Sequence, residues 1–174
     1  MSVIWFLVKT IGRAQVHDID LKYLTLKNCL VHHKLLREHE EVIRDKVDLL
    51  CEIIESDGYL KYPILVDART FTVLDGHHRL HALKALGYDY IPVFFVDYAE
   101  SYIRVGSWRK DYIVTKIDVL KRALTGAKYP PRTSRHMLLK ISVPCSYVNL
   151  KRIEELSQDI DIRYPSEDII CFEE

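Results

Sequence analysis

The segment that most constrains the fold is Phe71-Thr72-Val73-Leu74-Asp75-Gly76-His77-His78-Arg79, a short apolar strand that runs into a glycine and at once into a helix. Leu80, Leu83 and Leu86, with Ala82 and Ala85, supply the packing face of that helix, and Gly87 closes it. A helix N-terminus presents unpaired N–H groups and the positive end of the peptide dipole. Cationic side chains are disfavoured there, yet His77, His78 and Arg79 fill the first turn. An anion bound at the turn resolves the conflict, and phosphate suits it. Gly76 allows close backbone approach, and Asp75 could hold a divalent cation that bridges phosphate oxygens. The competing local reading makes Asp75 an ordinary N-cap and the histidines surface residues. His77 and His81 have the i,i+4 spacing of a metal pair, but no HExxH pattern accompanies them, so His81 is read as a packing or solvent residue.

Around this turn the chain reads as one domain. Its 174 residues are 48% hydrophobic and 29% charged, enough for a single well-buried core. Ile43, Val47, Leu50 and Ile54 form one apolar stripe and predict a helix from near Glu40 to Asp57-Gly58. Residues 63–67 and 71–74 predict a hairpin, and 91–96, almost wholly apolar, a central strand. One or two strands are expected within 102–114, and a helix carrying Ile117, Leu120 and Leu124 up to Gly126. Residues 128–136 are expected to be a loop because Pro130-Pro131 disfavours regular structure, and a last helix spans about 149–157. The expected class is α+β, a mixed sheet with packed helices, over residues 1–158, followed by an acidic tail, 159–174, whose structure the sequence leaves open.

Charge and cysteine usage narrow the setting. Lys plus Arg and Asp plus Glu both number 25, so the net charge is zero, which argues against a general nucleic-acid binder. Cys29, Cys51, Cys145 and Cys171 have no regular spacing and read as thiols in a reducing cytosol, not as a disulfide framework. The run 3–8 is too short to cross a bilayer and lacks the features of a signal peptide; it reads as a core strand. A cytoplasmic protein with no membrane partner is expected.

The stretch from Val73 to Gly87, centred on Asp75-Gly76-His77-His78-Arg79, resembles the signature of the ParB/sulfiredoxin superfamily. Its DGHHR form is similar to the free L-serine kinases, whereas partition proteins carry a GERR-type motif and sulfiredoxins a cysteine. The resemblance extends over roughly residues 30 to 140, through His39-Glu40, Asp97-Tyr98, Ser107-Trp108 and Thr133-Ser134-Arg135-His136, the last resembling a TTRH-type loop that contacts phosphate. It implies a ParB/sulfiredoxin-like fold and a Mg2+-dependent transfer of a phosphoryl group from ADP or ATP to free L-serine. By the same resemblance Glu40 is the catalytic base, and the chemistry of the turn makes Asp75 the second catalytic carboxylate, as the metal group. Gly76, His77, His78, Arg79, Thr133, Ser134, Arg135 and His136 bind nucleotide or phosphate, and His39, Ser107 and Trp108 lie at the amino-acid pocket. The chemistry agrees: a carboxylate must orient the hydroxyl and take its proton while positive groups line the transferring phosphoryl. A ParB-like DNA-binding or nuclease protein, and a nucleotide-binding module without activity, are the competing readings.

Overall fold

Alternation along three strands sets the architecture. In β3 (Ile64–Asp67), Ile64 and Val66 face one side of a sheet and Leu65 the other. In β5 (Tyr90–Val96), Ile91, Val93 and Phe95 face the first side, and Phe94 and Val96 the second. In β1 (Asn28–His32), Cys29 and Val31 join the first side and Leu30 the other. All seven residues of β5 are buried, as expected of a strand covered on both faces. Each large apolar side chain so enclosed stabilises the fold by about 1.5–3 kcal/mol.

The computed structural model describes residues 20–158, 165–166 and 168–172. The expected strand at 3–8 lies outside them. The main sheet has six strands in the order β4 (Val73–Asp75), β3, β5, β1, β10 (Ile169–Cys171), β9 (Pro165–Ser166). Only β3 and β5 are parallel, so the sheet is mixed. The crossover that links them carries α2 (His77–Ala85), which packs with α1 (Arg44–Asp57) on one face. The other face is covered by α3 (Lys116–Thr125), by the antiparallel pair β6 (Ile103–Ser107) and β7 (Ser134–Leu138), and by α4 (Leu150–Gln158). Two short strands, β2 (Tyr59–Leu60) and β8 (Val148–Asn149), pair apart from the sheet. The α+β mixed sheet is as expected, and the C-terminal strands β9 and β10 extend it.

Three expectations are corrected. The helix expected from Glu40 begins at Arg44. The main chain before it is committed elsewhere: Arg37 N–H donates to Phe71 and Glu41 N–H to Tyr129, while Arg37 and His39 carbonyls accept from Val73 and Tyr129. Residues 134–136, expected in a loop, lie on β7, paired from Ser134 opposite Ser107 to Leu138 opposite Ile103. Pro130-Pro131 lies just outside the ladder, where a missing N–H is harmless. Cys29 and Cys171, expected as thiols, are directly opposite on β1 and β10 and form a disulfide; Cys51 and Cys145 are free.

Candidate active site

β4 delivers Asp75 to the turn, and two histidines, the buried His39 and the half-buried His136, hold the strand in place. His39 Nδ1 donates to the Val73 carbonyl at 2.8 Å, and His136 bonds the Leu74 backbone. His136 Nε2 meets the Tyr98 hydroxyl at 2.8 Å. The His39 ring lies edge-on to His77, 4.7 Å away, and to His136, 5.7 Å away. Burial drives all three towards the neutral form: His39 falls to about 4, His136 to about 3, and His77 well below its ordinary value.

Gly76 caps α2 with φ +100°, a left-handed conformation that favours glycine, and no side chain caps the helix or places an acid in its first turn. The first-turn amides are therefore open to an anion. Arg79 is used differently from the sequence expectation. Its guanidinium donates to the carbonyls of Tyr62 (2.7 Å) and Pro63 (2.8 Å) and to Asp75 Oδ2 (2.8 Å), so it orients the aspartate and ties the turn to the start of β3. Asp75 itself is exposed. His78 Nε2 accepts from Ile43 N–H at 3.1 Å, at the start of α1, which leaves its Nδ1–H as a donor.

Glu40 lies in the extended segment before α1 and is 6% exposed. Its Oε1 accepts from Arg132 N–H (2.6 Å). Its Oε2 accepts from Thr133 N–H (3.0 Å), Ser134 N–H (2.8 Å) and Ser134 Oγ (2.9 Å). The carboxylate thus gathers the loop 132–134, where Arg132 has φ +57°. Thr133 Oγ1 turns inward to the Pro130 carbonyl. Strand alternation then sends Ser134 and His136 inward and Arg135 outward, where its guanidinium lies 4.3 Å from the ring of the exposed Trp108. Ser107 Oγ faces the carbonyls of Thr133 and Arg109 and so supports the turn between β6 and the loop.

These elements enclose a 440 Å³ pocket lined by Glu40, Asp75, Gly76, His77, His78 and Arg79, with Trp108 and Ser134 at its side. Glu40 and the turn 75–79 therefore share one cavity with Trp108 and, of the expected loop residues, Ser134, whereas Thr133, His39 and Ser107 do not line it. Arg135 and His136 are not on its wall; His136 borders a neighbouring 530 Å³ cleft that shares Asp75 and Arg79 with the pocket. Two lining cations were not singled out from the sequence, Lys46 and Arg132. Only the position of Arg132 beside the phosphate-type loop hinted at it. His77 Nε2 is buried and has no hydrogen-bond partner among the described residues, an orphan polar atom of the kind a ligand satisfies. Among the described residues no group of three or more His, Cys, Asp or Glu forms a metal cage. The donor set still fits Mg2+, which is commonly held by one or two carboxylates with phosphate oxygens and water.

No protein-family model matches the chain. In sequence it is similar to a ParB-like protein of Sulfolobus acidocaldarius, 39% identical over 80 residues, which cover 46% of this chain and 40% of that one. It is also similar to an ATP-dependent L-serine kinase of Desulfurococcus mucosus, 28% identical over 143 residues, which cover 76% of this chain and 56% of that one. The matches thus span about half the length of these curated relatives. Among solved structures, a free serine kinase in complex with AMP superposes with a TM-score of 0.65 at 15% identity, over 79% of this chain and 97% of that one. At that identity the likeness shows the fold, which the chain shares with the free serine kinases.

Proposed function

We propose that this chain is a free L-serine kinase, transferring a phosphoryl group from ATP or ADP to the serine hydroxyl to give O-phospho-L-serine. The observation that carries the reading is the convergence of a helix N-terminus without a side-chain cap, an exposed Asp75 and the loop-bound Glu40 on one pocket. The relative described as an ATP-dependent L-serine kinase and the shared fold support it.

In this reading the first-turn amides of α2, the Nδ1–H of His78 and the cations Lys46 and Arg132 receive the phosphates. Mg2+ held by Asp75 would neutralise charge on the phosphate oxygens. Arg79 keeps Asp75 aimed at them. Glu40 orients the serine hydroxyl and takes its proton as the new O–P bond forms. Trp108, on the rim, borders the amino-acid side. The 530 Å³ cleft, walled by Ile54, Leu60, Leu138 and Val143, receives the nucleoside because it opens onto the same Asp75 and Arg79.

The test is incubation with L-serine, Mg2+ and either ATP or ADP, followed by phosphorus NMR for phosphoserine. Phosphoserine formation that Asp75→Asn strongly weakens is expected. No product with either nucleotide, together with salt-sensitive DNA binding, would establish instead the ParB-like nucleic-acid reading, which the name of one relative favours and the zero net charge opposes.

No helix among the described residues is long and apolar enough to cross a membrane. The small-molecule chemistry points to the cytoplasm and the Cys29–Cys171 disulfide away from a reducing one. Alkylating free thiols in intact cells, then counting those modified, decides between them.

A further inference from the structure

The hydroxyl of Ser134 sits between two acceptors. Its Oγ is 2.9 Å from Glu40 Oε2 and 2.8 Å from His39 Nε2. The state of His39 follows from its other nitrogen: Nδ1 is 2.8 Å from the Val73 carbonyl, which only accepts, so Nδ1 carries the hydrogen. In a neutral ring Nε2 is then a bare acceptor. Around it stand His77, His136 and Tyr129, with Glu38 and Arg122 the charged groups that act on it, and burial disfavours the imidazolium. Ser134 has one hydrogen for two acceptors, so with Glu40 charged one of the two short contacts is left without a proton. A proton added at Glu40 Oε1 decides between them: Oε2 becomes a neutral carbonyl still held by two N–H groups, and Ser134 O–H donates to the stronger acceptor, His39 Nε2.

We propose that Ser134 is a two-position hydroxyl switch, donating to Glu40 before phosphoryl transfer and turning to His39 when Glu40 takes the proton of the acceptor hydroxyl. This rests on the kinase reading with Glu40 as base. In the step, the serine O–H bond breaks and its proton goes to Glu40 Oε1, the oxygen that accepts only from Arg132 N–H. The serine oxygen forms a bond to phosphorus, and the bond from phosphorus to the leaving nucleotide breaks, its electron pair staying on the nucleotide. After release Glu40 returns the proton to water and Ser134 turns back. Ser134 and His39 are positioning residues: in this step they act through the base.

Ser134→Ala removes the hydroxyl and keeps the three main-chain bonds to Glu40. The expected result is a kcat lower by on the order of tenfold to a hundredfold, KM values for serine and nucleotide nearly unchanged, and recovery of most of the loss in Ser134→Thr. A purely structural role would raise KM and lower the melting temperature in step with kcat. Nitrogen NMR of the histidine rings in the wild-type protein gives a second readout that needs no variant, with His39 expected in the Nδ1–H tautomer. A kcat unchanged in Ser134→Ala, or His39 found as the Nε2–H tautomer, overturns the switch and leaves the kinase reading standing. Wild-type protein that makes no phosphoserine overturns both.

Discussion

Glu40 receives its hydrogen bonds from three consecutive residues, Arg132, Thr133 and Ser134, and that pattern governs what a substitution there does. In Glu40→Gln an NH2 group replaces one oxygen and meets an N–H head-on, whichever way the amide is turned. An unsatisfied buried donor costs about 1–3 kcal/mol, so a fall of roughly 3–10 °C in melting temperature is expected along with lost phosphotransfer. A calorimetric melt checks it, and an unshifted transition would show that the loop does not depend on the carboxylate. Gly76 is constrained in two ways: its φ is +100°, and an added Cβ would lie 2.9 Å from the Arg79 guanidinium. Gly76→Ala should therefore displace Arg79 from Tyr62, Pro63 and Asp75 and destabilise by about 1–3 kcal/mol. In the proposed kinase it should also weaken the response of turnover to Mg2+, because Asp75 loses its partner. Equal Mg2+ titrations of the two proteins would separate Arg79 from the metal group.

At the scale of elements, legibility followed locality. α2 and its turn, α3, β5 and the β3–β4 hairpin were readable because an apolar period, a glycine stop and a short connection all lie within a few residues of one another. β7 was not, because its partner β6 lies across α3 and Pro130-Pro131 spoke for a loop. The stripe from Ile43 to Ile54 is visible in the sequence but the helix start is not, since what holds residues 37–41 extended are Phe71, Val73 and Tyr129. The site divides the same way. The turn 75–79 was visible as a charge pattern opposing a dipole, whereas Lys46 and the outward turn of Arg135 depend on tertiary placement. The Cys29–Cys171 pair, 142 residues apart, had no local signal at all. It fastens β10 to β1, which leads to a prediction: Cys171→Ser should destabilise by about 2–4 kcal/mol. Amide exchange of Ile169 and Ile170 should also accelerate more than that of β5. Identical melts of the wild type with and without reductant would show that the bond does not form in solution.

For the whole molecule, the decisive feature is that the support of β4 is built from neutral histidines on the inner side of the sheet. His39 and His136 bond the main chain of Val73 and Leu74, so the turn that carries Asp75 depends on rings that burial keeps unprotonated. This makes global stability depend on pH in a definite direction. In the unfolded chain a histidine titrates near pH 6.5, whereas folded His39 does so at about 4 and His136 at about 3. Between those values the unfolded state binds protons that the folded state refuses, so stability falls as pH falls. Each ring contributes a slope of up to about 1.4 kcal/mol per pH unit and the two together roughly 2.7. The loss begins as pH drops below about 6.5 and levels off only beneath the folded values. It precedes acid unfolding driven by carboxylates, which titrate near pH 4 in unfolded chains. Urea unfolding at pH 7, 6 and 5 measures it: the midpoint should drop at each step with the denaturant slope unchanged. A midpoint constant from pH 7 to 5 would mean that His39 and His136 take up protons as readily in the folded protein as in the unfolded chain.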